Sequence, residues 1–229
     1  GIDKHICFNH SVHAANWSSK HSTWTVTASN NGEATTFTCK FLFMCSGYYS
    51  YKGGYKPNFP GEEDFQGSIV HPQEWPKGLD CSGKRVVIVG SGATAVTLVP
   101  HLAKVAKHVT MLQRSPTYVV PWPSIDKIAK LLFAVLPTRL AYLLVRRKNI
   151  FIAELHRKVA SVWPQLYKFA LLSCTAKAIG KEEVQKNFNP PYMPWEQRVC
   201  LSPDGDIFKS IQSGKASVVT DSILSFTED

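Results

Sequence analysis

The sequence predicts an α/β fold in which a parallel βαβ unit carries a helical insertion and follows a smaller, mostly antiparallel segment. Two observations lead to this prediction. A strand-like segment at residues 84–89, apolar from Val86 onward, enters a Gly-rich turn, and a helical pattern and a second strand-like segment complete a unit of about 30 residues. Ahead of this unit, alternating apolar and polar residues around an Asn-Gly pair are typical of a β-hairpin.

The composition is that of a soluble globular protein rather than a disordered one, since 44% of the 229 residues are hydrophobic and 19% are charged. The six cysteines form no C-x-x-C pair, so we expect free thiols in a reducing compartment and no metal site. The chain shows no initiator Met and no secretory leader. We therefore expect a fragment of a longer, cytoplasmic protein.

The first 60 residues are predicted to form strands and then a connector. Residues 24–28 and 35–39 alternate, and the sequence Asn30-Asn31-Gly32-Glu33 between them is a hairpin turn signal. The apolar run at 41–45 predicts a buried parallel strand that leads into a loop. Residues 48–60 are rich in Tyr, Gly and Pro and indicate a domain boundary.

The rest of the chain is predicted to alternate strands and helices. Strands are expected at 84–89 and 108–113 with a helix at 93–106 between them, and residues 116–123 interrupt the pattern. Apolar residues then recur at helical spacing over 125–179, with interruptions at Pro137 and Pro164. These apolar stretches are too short to cross a membrane. A last strand is expected at 217–223.

The Gly-rich turn has the spacing of a dinucleotide-binding Rossmann fold. Gly90 permits a tight turn, Gly92 lets backbone N–H groups approach a pyrophosphate, and the small Ala95 lets the helix pack on the strand. A Gly-rich turn that serves packing alone is the alternative. The strand before and the helix after favour cofactor binding by the whole turn, namely by Gly90, Ser91, Gly92, Ala93, Thr94 and Ala95.

The end of the second strand of this unit predicts which dinucleotide binds. An NAD site would have Asp or Glu there, whereas this chain has Arg114 and Ser115, followed by the weaker candidate Thr117. A guanidinium and a hydroxyl group suit a 2′-phosphate, so NADPH is favoured. A surface ion pair is the alternative role for Arg114.

A twelve-residue segment ahead of the Gly-rich turn resembles the fingerprint of the flavin-dependent Baeyer–Villiger monooxygenases, F-x-G-x-x-x-H-x-x-x-W-[P/D]. The matching positions are Phe65, Gly67, His71, Trp75 and Pro76. Ordinary flavin monooxygenases usually have Tyr or Phe at the position of Trp75. The resemblance implies that His71 lies in a linker that couples domain movement to catalysis, without acting as an acid or base, and that Trp75 anchors this linker.

The same resemblance gives a role to the segment Pro194-Trp195-Glu-Gln197-Arg198. By its residues alone, it would be an Arg beside a Trp in a structural contact. In the family, the matching Arg is the active-site arginine next to the flavin, which implies that Arg198 stabilises a peroxyflavin anion. Gln197 stands where many relatives have a Lys that assists with the 2′-phosphate, so its contact with the cofactor is expected to be weaker. The motifs look closest to the ethionamide-activating branch.

The resemblance also implies a domain organisation and a reaction. Residues 1–57 would be part of an FAD-binding domain, 58–82 the linker with the fingerprint, and 83–229 an NADP-binding domain with a helical insertion at 124–186. With FAD and NADPH, the full-length enzyme would insert one oxygen of O2 into a ketone, or oxidise a sulfide or an amine. This fragment, which lacks the first Gly-rich FAD turn of its relatives, would be inactive alone.

Two alternatives stay open from the sequence. The first is an ordinary N- or S-oxygenating flavin monooxygenase. The second is a non-catalytic module that contacts an anionic membrane surface through residues 124–180, where ten Lys or Arg stand against two Asp or Glu. No motif predicts nucleic-acid binding. The sequence predicts neither the identity of the substrate nor the oligomeric state.

Overall fold

The computed structural model describes residues 1–47 and 49–228. Tyr48, the first residue of the predicted connector, and Asp229, the last residue of the predicted NADP-binding domain, lie outside this part. The chain forms two compact units, Gly1–Gly54 and Tyr55–Asp229. Together they give a mixed α/β protein with one antiparallel and two parallel sheets.

The first unit is an antiparallel meander of three strands, β1 (His10–Ser18), β2 (Thr23–Asn30) and β3 (Glu33–Cys39), preceded by a short 3-10 helix at Asp3–His5. The predicted hairpin is confirmed, because Asn30 pairs with Glu33 across the two-residue turn between β2 and β3. Both turn residues, Asn31 and Gly32, have positive φ angles of 50° and 93°, as the Asn-Gly signal requires.

The predicted parallel strand at residues 41–45 is wrong for this chain. The segment has no regular secondary structure, and Phe41, Phe43 and Met44 are 78%, 76% and 71% exposed. An apolar run forms a stable buried strand only where neighbouring strands hydrogen-bond to it on both sides and its side chains are buried. No described residue supplies such a neighbour.

The second unit is built on a parallel sheet with the order β4-β5-β8, formed by β4 (Arg85–Val89), β5 (His108–Gln113) and β8 (Ala216–Thr220). The crossover from β4 to β5 contains α1 (Ala93–Leu102), so the predicted βαβ unit is confirmed. The helix ends four residues earlier than predicted, at Leu102. The core between this sheet and its helices includes the fully buried Val109, Met111 and Ile207.

A second parallel pair, β6 (Tyr118–Trp122) and β7 (Val199–Pro203), was not predicted. Residues 116–123 were interpreted as a break because they contain three prolines. Pro121 is tolerated because the two-stranded sheet leaves each strand with one unpaired edge. A short helix, α6 (Asp206–Gln212), follows β7 and packs against α1.

The prediction that residues 125–179 are mostly helical is confirmed, and the helices continue to Asn187: α2 (Lys127–Val135), α3 (Thr138–Val162), α4 (Pro164–Ile179) and α5 (Lys181–Asn187). Both predicted interruptions fall at helix starts, where Pro is favoured because the first helical N–H groups have no partner within the helix. Pro137 precedes α3, and Pro164 is the first residue of α4. Among the described residues, no helix is long and apolar enough to cross a membrane.

Candidate functional site

The Gly-rich turn connects the carboxyl end of β4 to the amino end of α1. Gly90 donates its backbone N–H to the Leu112 carbonyl at 2.7 Å, which ties the start of the turn to the neighbouring strand β5. Gly92 is the N-cap of α1, and no side chain caps the helix there. The first N–H groups of the helix therefore keep their capacity to bind an anion, and the helix dipole favours negative charge at this end.

The two glycines and the alanine of the motif have different local reasons to be small. Gly90 has a φ of +119°, which side-chain-bearing residues rarely adopt. Gly92 has an ordinary extended backbone, and a Cβ added there would meet no atom within 4 Å from the part of the chain that the structure describes. Since neither strain nor packing explains Gly92, the open space above it fits a ligand phosphate approaching the backbone. Ala95 is 5% exposed and packs in the core, where a small residue lets α1 lie close to the sheet.

Ser91 joins this turn to the segment that follows β5. Its hydroxyl donates to the Ser115 carbonyl oxygen at 3.3 Å and lies 2.8 Å from the Thr117 hydroxyl. These bonds connect positions 24 and 26 residues apart in sequence. Thr117, which the sequence offered only as a weak cofactor contact, thus has a structural partner within the turn.

Arg114 lies at the carboxyl end of β5, directly after a residue whose side chain is fixed. The amide nitrogen of the buried Gln113 donates to the Asn187 carbonyl at 2.7 Å and to the Thr220 hydroxyl at 2.9 Å. Arg114 and Ser115 are exposed. No described carboxylate lies within ion-pair distance of Arg114, so the surface ion pair considered from the sequence is absent from the described part of the chain. Its guanidinium is free to bind an anion beside the turn.

The parallel pairing of β6 with β7 locates Arg198. Tyr118 pairs with Val199, so the residues just before them, Thr117 and Arg198, stand at the same end of the pair. Thr117 is the residue that contacts Ser91. Arg198 therefore lies at the end of the two-stranded sheet where Thr117 contacts Ser91 of the Gly-rich turn.

Arg198 and Gln197 are both exposed. Burial raises the pKa of the Cys200 thiol, and the charge of Arg198 acts in the opposite direction. Cys200 is thus kept as a neutral thiol in the core, where it serves packing rather than nucleophilic chemistry.

Phe65, the first residue of the fingerprint, forms a separate cluster with Phe226. The ring of Phe65 meets Phe226 edge to face, with centroids 5.7 Å apart. The same ring covers Gly67 so closely that an added Cβ would lie 2.3 Å from its Cζ atom. A larger residue at position 67 would therefore force the Phe65 ring to move from this position.

His71 and Trp75 flank a 3-10 helix at Pro72–Glu74. The Nδ1 atom of His71 accepts a hydrogen bond from the Gln73 backbone N–H at 3.2 Å, which caps this helix. Trp75 ends the helix and is 42% exposed. Pro76 follows, and its carbonyl accepts from the Leu79 N–H. These contacts are local, and the linker role of these residues stays a prediction.

The structure thus brings the Gly-rich turn, residues 114–117 and the end of β7 at Arg198 together, whereas Phe65 of the fingerprint contacts Phe226. Sequence reasoning missed Phe226, whose backbone N–H donates to the Pro60 carbonyl at 2.7 Å and whose ring also packs on Phe59. No pattern in the sequence pointed to it, since a lone Phe near a chain end carries no periodicity.

A family model described as Flavin-binding monooxygenase-like matches residues 1–182. The chain is 50% identical over 229 residues to the FAD-containing monooxygenase EthA of Mycobacterium tuberculosis, which covers 99% of this chain and 47% of that protein. It is 46% identical over 230 residues to the probable FAD-binding monooxygenase AlmA of Acinetobacter baylyi, with 99% and 46% covered. The chain therefore spans about half the length of the curated relatives it matches.

Solved structures with the same fold include an oxidised steroid monooxygenase bound to NADP, with a TM-score of 0.69 at 18% identity over 99% of this chain and 50% of that one. OTEMO in complex with FAD and NADP gives a TM-score of 0.62 at 23% identity over 95% and 47% of the two chains. At these low identities, the similarity shows a shared fold only.

Proposed function

Because the chain belongs to the flavin-binding monooxygenase-like family, we propose that the full-length protein is a cytoplasmic FAD- and NADPH-dependent monooxygenase of the Baeyer–Villiger type. The predicted resemblance to the ethionamide-activating branch is confirmed by the identity with EthA. The reaction inserts one oxygen of O2 into a ketone, or oxidises a sulfur or nitrogen centre. The observation that supports NADPH as the reductant is a Gly-rich turn with open space above Gly92, beside an Arg114 that forms no ion pair with the described residues.

The donor set of this site supports the proposal that NADPH binds here. The N-terminus of α1 receives the pyrophosphate, and Arg114 with Ser115 receives the 2′-phosphate through charge-assisted hydrogen bonds. Gln197, which carries no charge, adds at most a neutral hydrogen bond. When bound, NADPH supplies a hydride and FAD supplies the oxygen-transfer chemistry. The structures of OTEMO with FAD and NADP support this pair of cofactors.

We assign the chain to three parts on the same basis. Residues 1–57 contribute the meander of an FAD-binding domain, residues 58–82 are the linker that bears the fingerprint, and residues 83–229 form an NADP-binding domain with its insertion at 124–186. The parallel sheet and its Gly-rich turn support the last assignment.

Arg198 acts on the reacting centre in this proposal. A guanidinium keeps its charge at every working pH, and an exposed one at a strand end can face a bound ligand. A fixed cation stabilises negative charge that develops on oxygen during the reaction. Arg198 is therefore assigned as the catalytic residue.

Product analysis with the full-length protein tests this function. We expect a ketone to yield an ester with one labelled oxygen from ¹⁸O2 and one NADPH consumed per ester formed. If the protein oxidises sulfides and amines but converts no ketone, it is an ordinary flavin monooxygenase, and the assignment from Trp75 is wrong.

A second candidate function, contact with an anionic membrane surface, is favoured by the surface of the insertion. Leu131 and Phe151 are 62% and 68% exposed on α2 and α3. Residues 124–180 also hold ten Lys or Arg against two Asp or Glu. Co-sedimentation with anionic vesicles that weakens with added salt, and no co-sedimentation with neutral vesicles, would support this contact. Equal behaviour with both kinds of vesicle would contradict it.

A further inference from the structure

The segment that carries Arg198 has almost no regular structure of its own. Residues 189–198, here called the arginine loop, join α5 to β7. Within it, the Met193 N–H donates to the Glu196 carboxylate at 2.8 Å, and the Glu196 N–H donates to the Met193 carbonyl at 3.2 Å. These bonds close one turn but do not fix the loop to the rest of the protein.

Two side chains outside the loop hold its backbone. The ammonium group of Lys168, on α4, donates to the Pro190 carbonyl at 2.6 Å. The hydroxyl of Tyr118, on β6, donates to the Tyr192 carbonyl at 2.6 Å. Both bonds therefore end on main-chain oxygens of the arginine loop, so they fix its path independently of the loop's own side chains.

The two anchors also contact one another, and Tyr118 is buried against the helical insertion. Lys168 Nζ lies 5.9 Å from the centroid of the Tyr118 ring, a cation–π distance. Tyr118 is 1% exposed, meets the Tyr192 ring edge to face at 5.5 Å, and packs with Ala160 and Leu171 of the helical insertion. Burial raises the pKa of Tyr118 to about 12, so its hydroxyl stays a donor over the whole working range of pH.

The loop is held in a conformation that it would not adopt alone. Trp195 has a φ of +73°, a left-handed backbone that is unfavourable for a bulky residue. Such strain persists only where the surroundings impose it. The indole of Trp195 also faces the Tyr167 hydroxyl of α4, which lies 2.9 Å from His156 Nδ1 of α3. The insertion thus contacts the loop at two places, at Pro190 before the turn and at Trp195 within it.

We propose that Lys168 and Tyr118 are positioning residues that set the arginine loop, and through it Arg198, so that the helical insertion shapes the active site. The catalytic part of this statement rests on the proposed role of Arg198. The anchoring part concerns the chain's own contacts and can be measured without any cofactor.

The test uses two anchor variants and two matched controls. Lys168→Met keeps the aliphatic stem and removes the donor, and Tyr118→Phe keeps the ring and removes the hydroxyl. Lys177→Met makes the same change at an exposed residue of α4, and Tyr142→Phe does so at an exposed residue of α3. Hydrogen exchange is measured by mass spectrometry on peptides that contain the amides of Met193 and Glu196.

We expect each anchor variant to exchange about tenfold faster at these amides than its control, the factor that corresponds to one lost hydrogen bond. In the full-length protein, both anchor variants should also make several-fold less product per NADPH consumed, with an unchanged KM for NADPH.

Exchange at the control rate would overturn the anchoring. Faster exchange with unchanged coupling, while Arg198→Ala abolishes oxygenation, would overturn the positioning role. Normal product yield in Arg198→Ala would instead refute the proposed function of Arg198 and leave the exchange result to decide the anchoring.

Discussion

Replacing Arg114 with alanine should weaken the binding of NADPH far more than that of NADH. Arg114 is exposed and forms no ion pair with any described residue, so its removal leaves no buried partner behind. The preceding Gln113 keeps its bonds to Asn187 and Thr220, which hold the end of β5 in place. The change therefore acts on the cofactor and leaves the fold intact.

The magnitude follows from the bonds that the guanidinium would make. A hydrogen bond to a charged group contributes about 1.5–3 kcal/mol. Because about 1.4 kcal/mol corresponds to a factor of ten, the dissociation constant for NADPH should rise about 10- to 150-fold. NADH lacks the 2′-phosphate, so its constant should change by less than about threefold, or less than about 0.7 kcal/mol.

Isothermal titration of both cofactors into the wild type and Arg114→Ala measures these constants, and the retained fold is checked by the unfolding midpoint. Arg146→Ala is the matched control, since Arg146 is another exposed arginine on a different surface, within α3. Equal losses for NADPH and NADH would refute the assignment of Arg114 to the 2′-phosphate. A loss of NADPH affinity in Arg146→Ala would show that the effect comes from net charge alone.

Three further outcomes are expected. Arg198→Ala should abolish ketone oxygenation in the full-length protein while FAD stays bound and slow NADPH oxidation continues, and a near-normal ester yield would return Arg198 to a structural role. Gly92→Ala should weaken NADP⁺ at least about tenfold by placing a methyl group where the phosphate approaches, at a stability cost below about 1 kcal/mol, because no protein atom lies near. The Ser124 hydroxyl and N–H hold the pKa of Asp204 below its ordinary value of 3.8, so these bonds stabilise the fold at neutral pH and are lost as the pH falls through that lowered value. A carboxyl titration of Asp204 by NMR with a midpoint at or above 3.8 would contradict this.

The parts of the fold that the sequence predicted are those with a local physical cause. The hairpin at Asn31 and Gly32 follows from two residues that tolerate positive φ angles, and the starts of α3 and α4 follow from Pro137 and Pro164. The βαβ unit follows from apolar runs on either side of an amphipathic segment. Each of these signals lies within a few residues of the structure that it specifies.

The features of the fold and of the candidate site that the sequence did not predict depend on contacts between residues far apart in sequence. The apolar run at 41–45 looks like a buried strand, but burial depends on neighbours that the run itself does not encode. The strand β6 was missed because prolines obscure its pattern, and its pairing partner lies about 80 residues away. For the same reason, the sequence named Arg198 through a resemblance only, whereas the register of β6 with β7 relates it to Thr117 and Ser91.

The contacts of Phe226 connect two parts of the chain that are far apart in sequence. The chain leaves β8 at Thr220 and, six residues later, is bonded to Pro60 at 2.7 Å, while Glu228 accepts from the Gln66 N–H at 3.0 Å. The central sheet is thereby tethered to the fingerprint segment by two backbone bonds and two ring contacts. Only five residues without regular secondary structure separate Thr220 from Phe226, so the β8 edge is connected to the backbone around Phe65 through this short segment as well as through the long intervening chain.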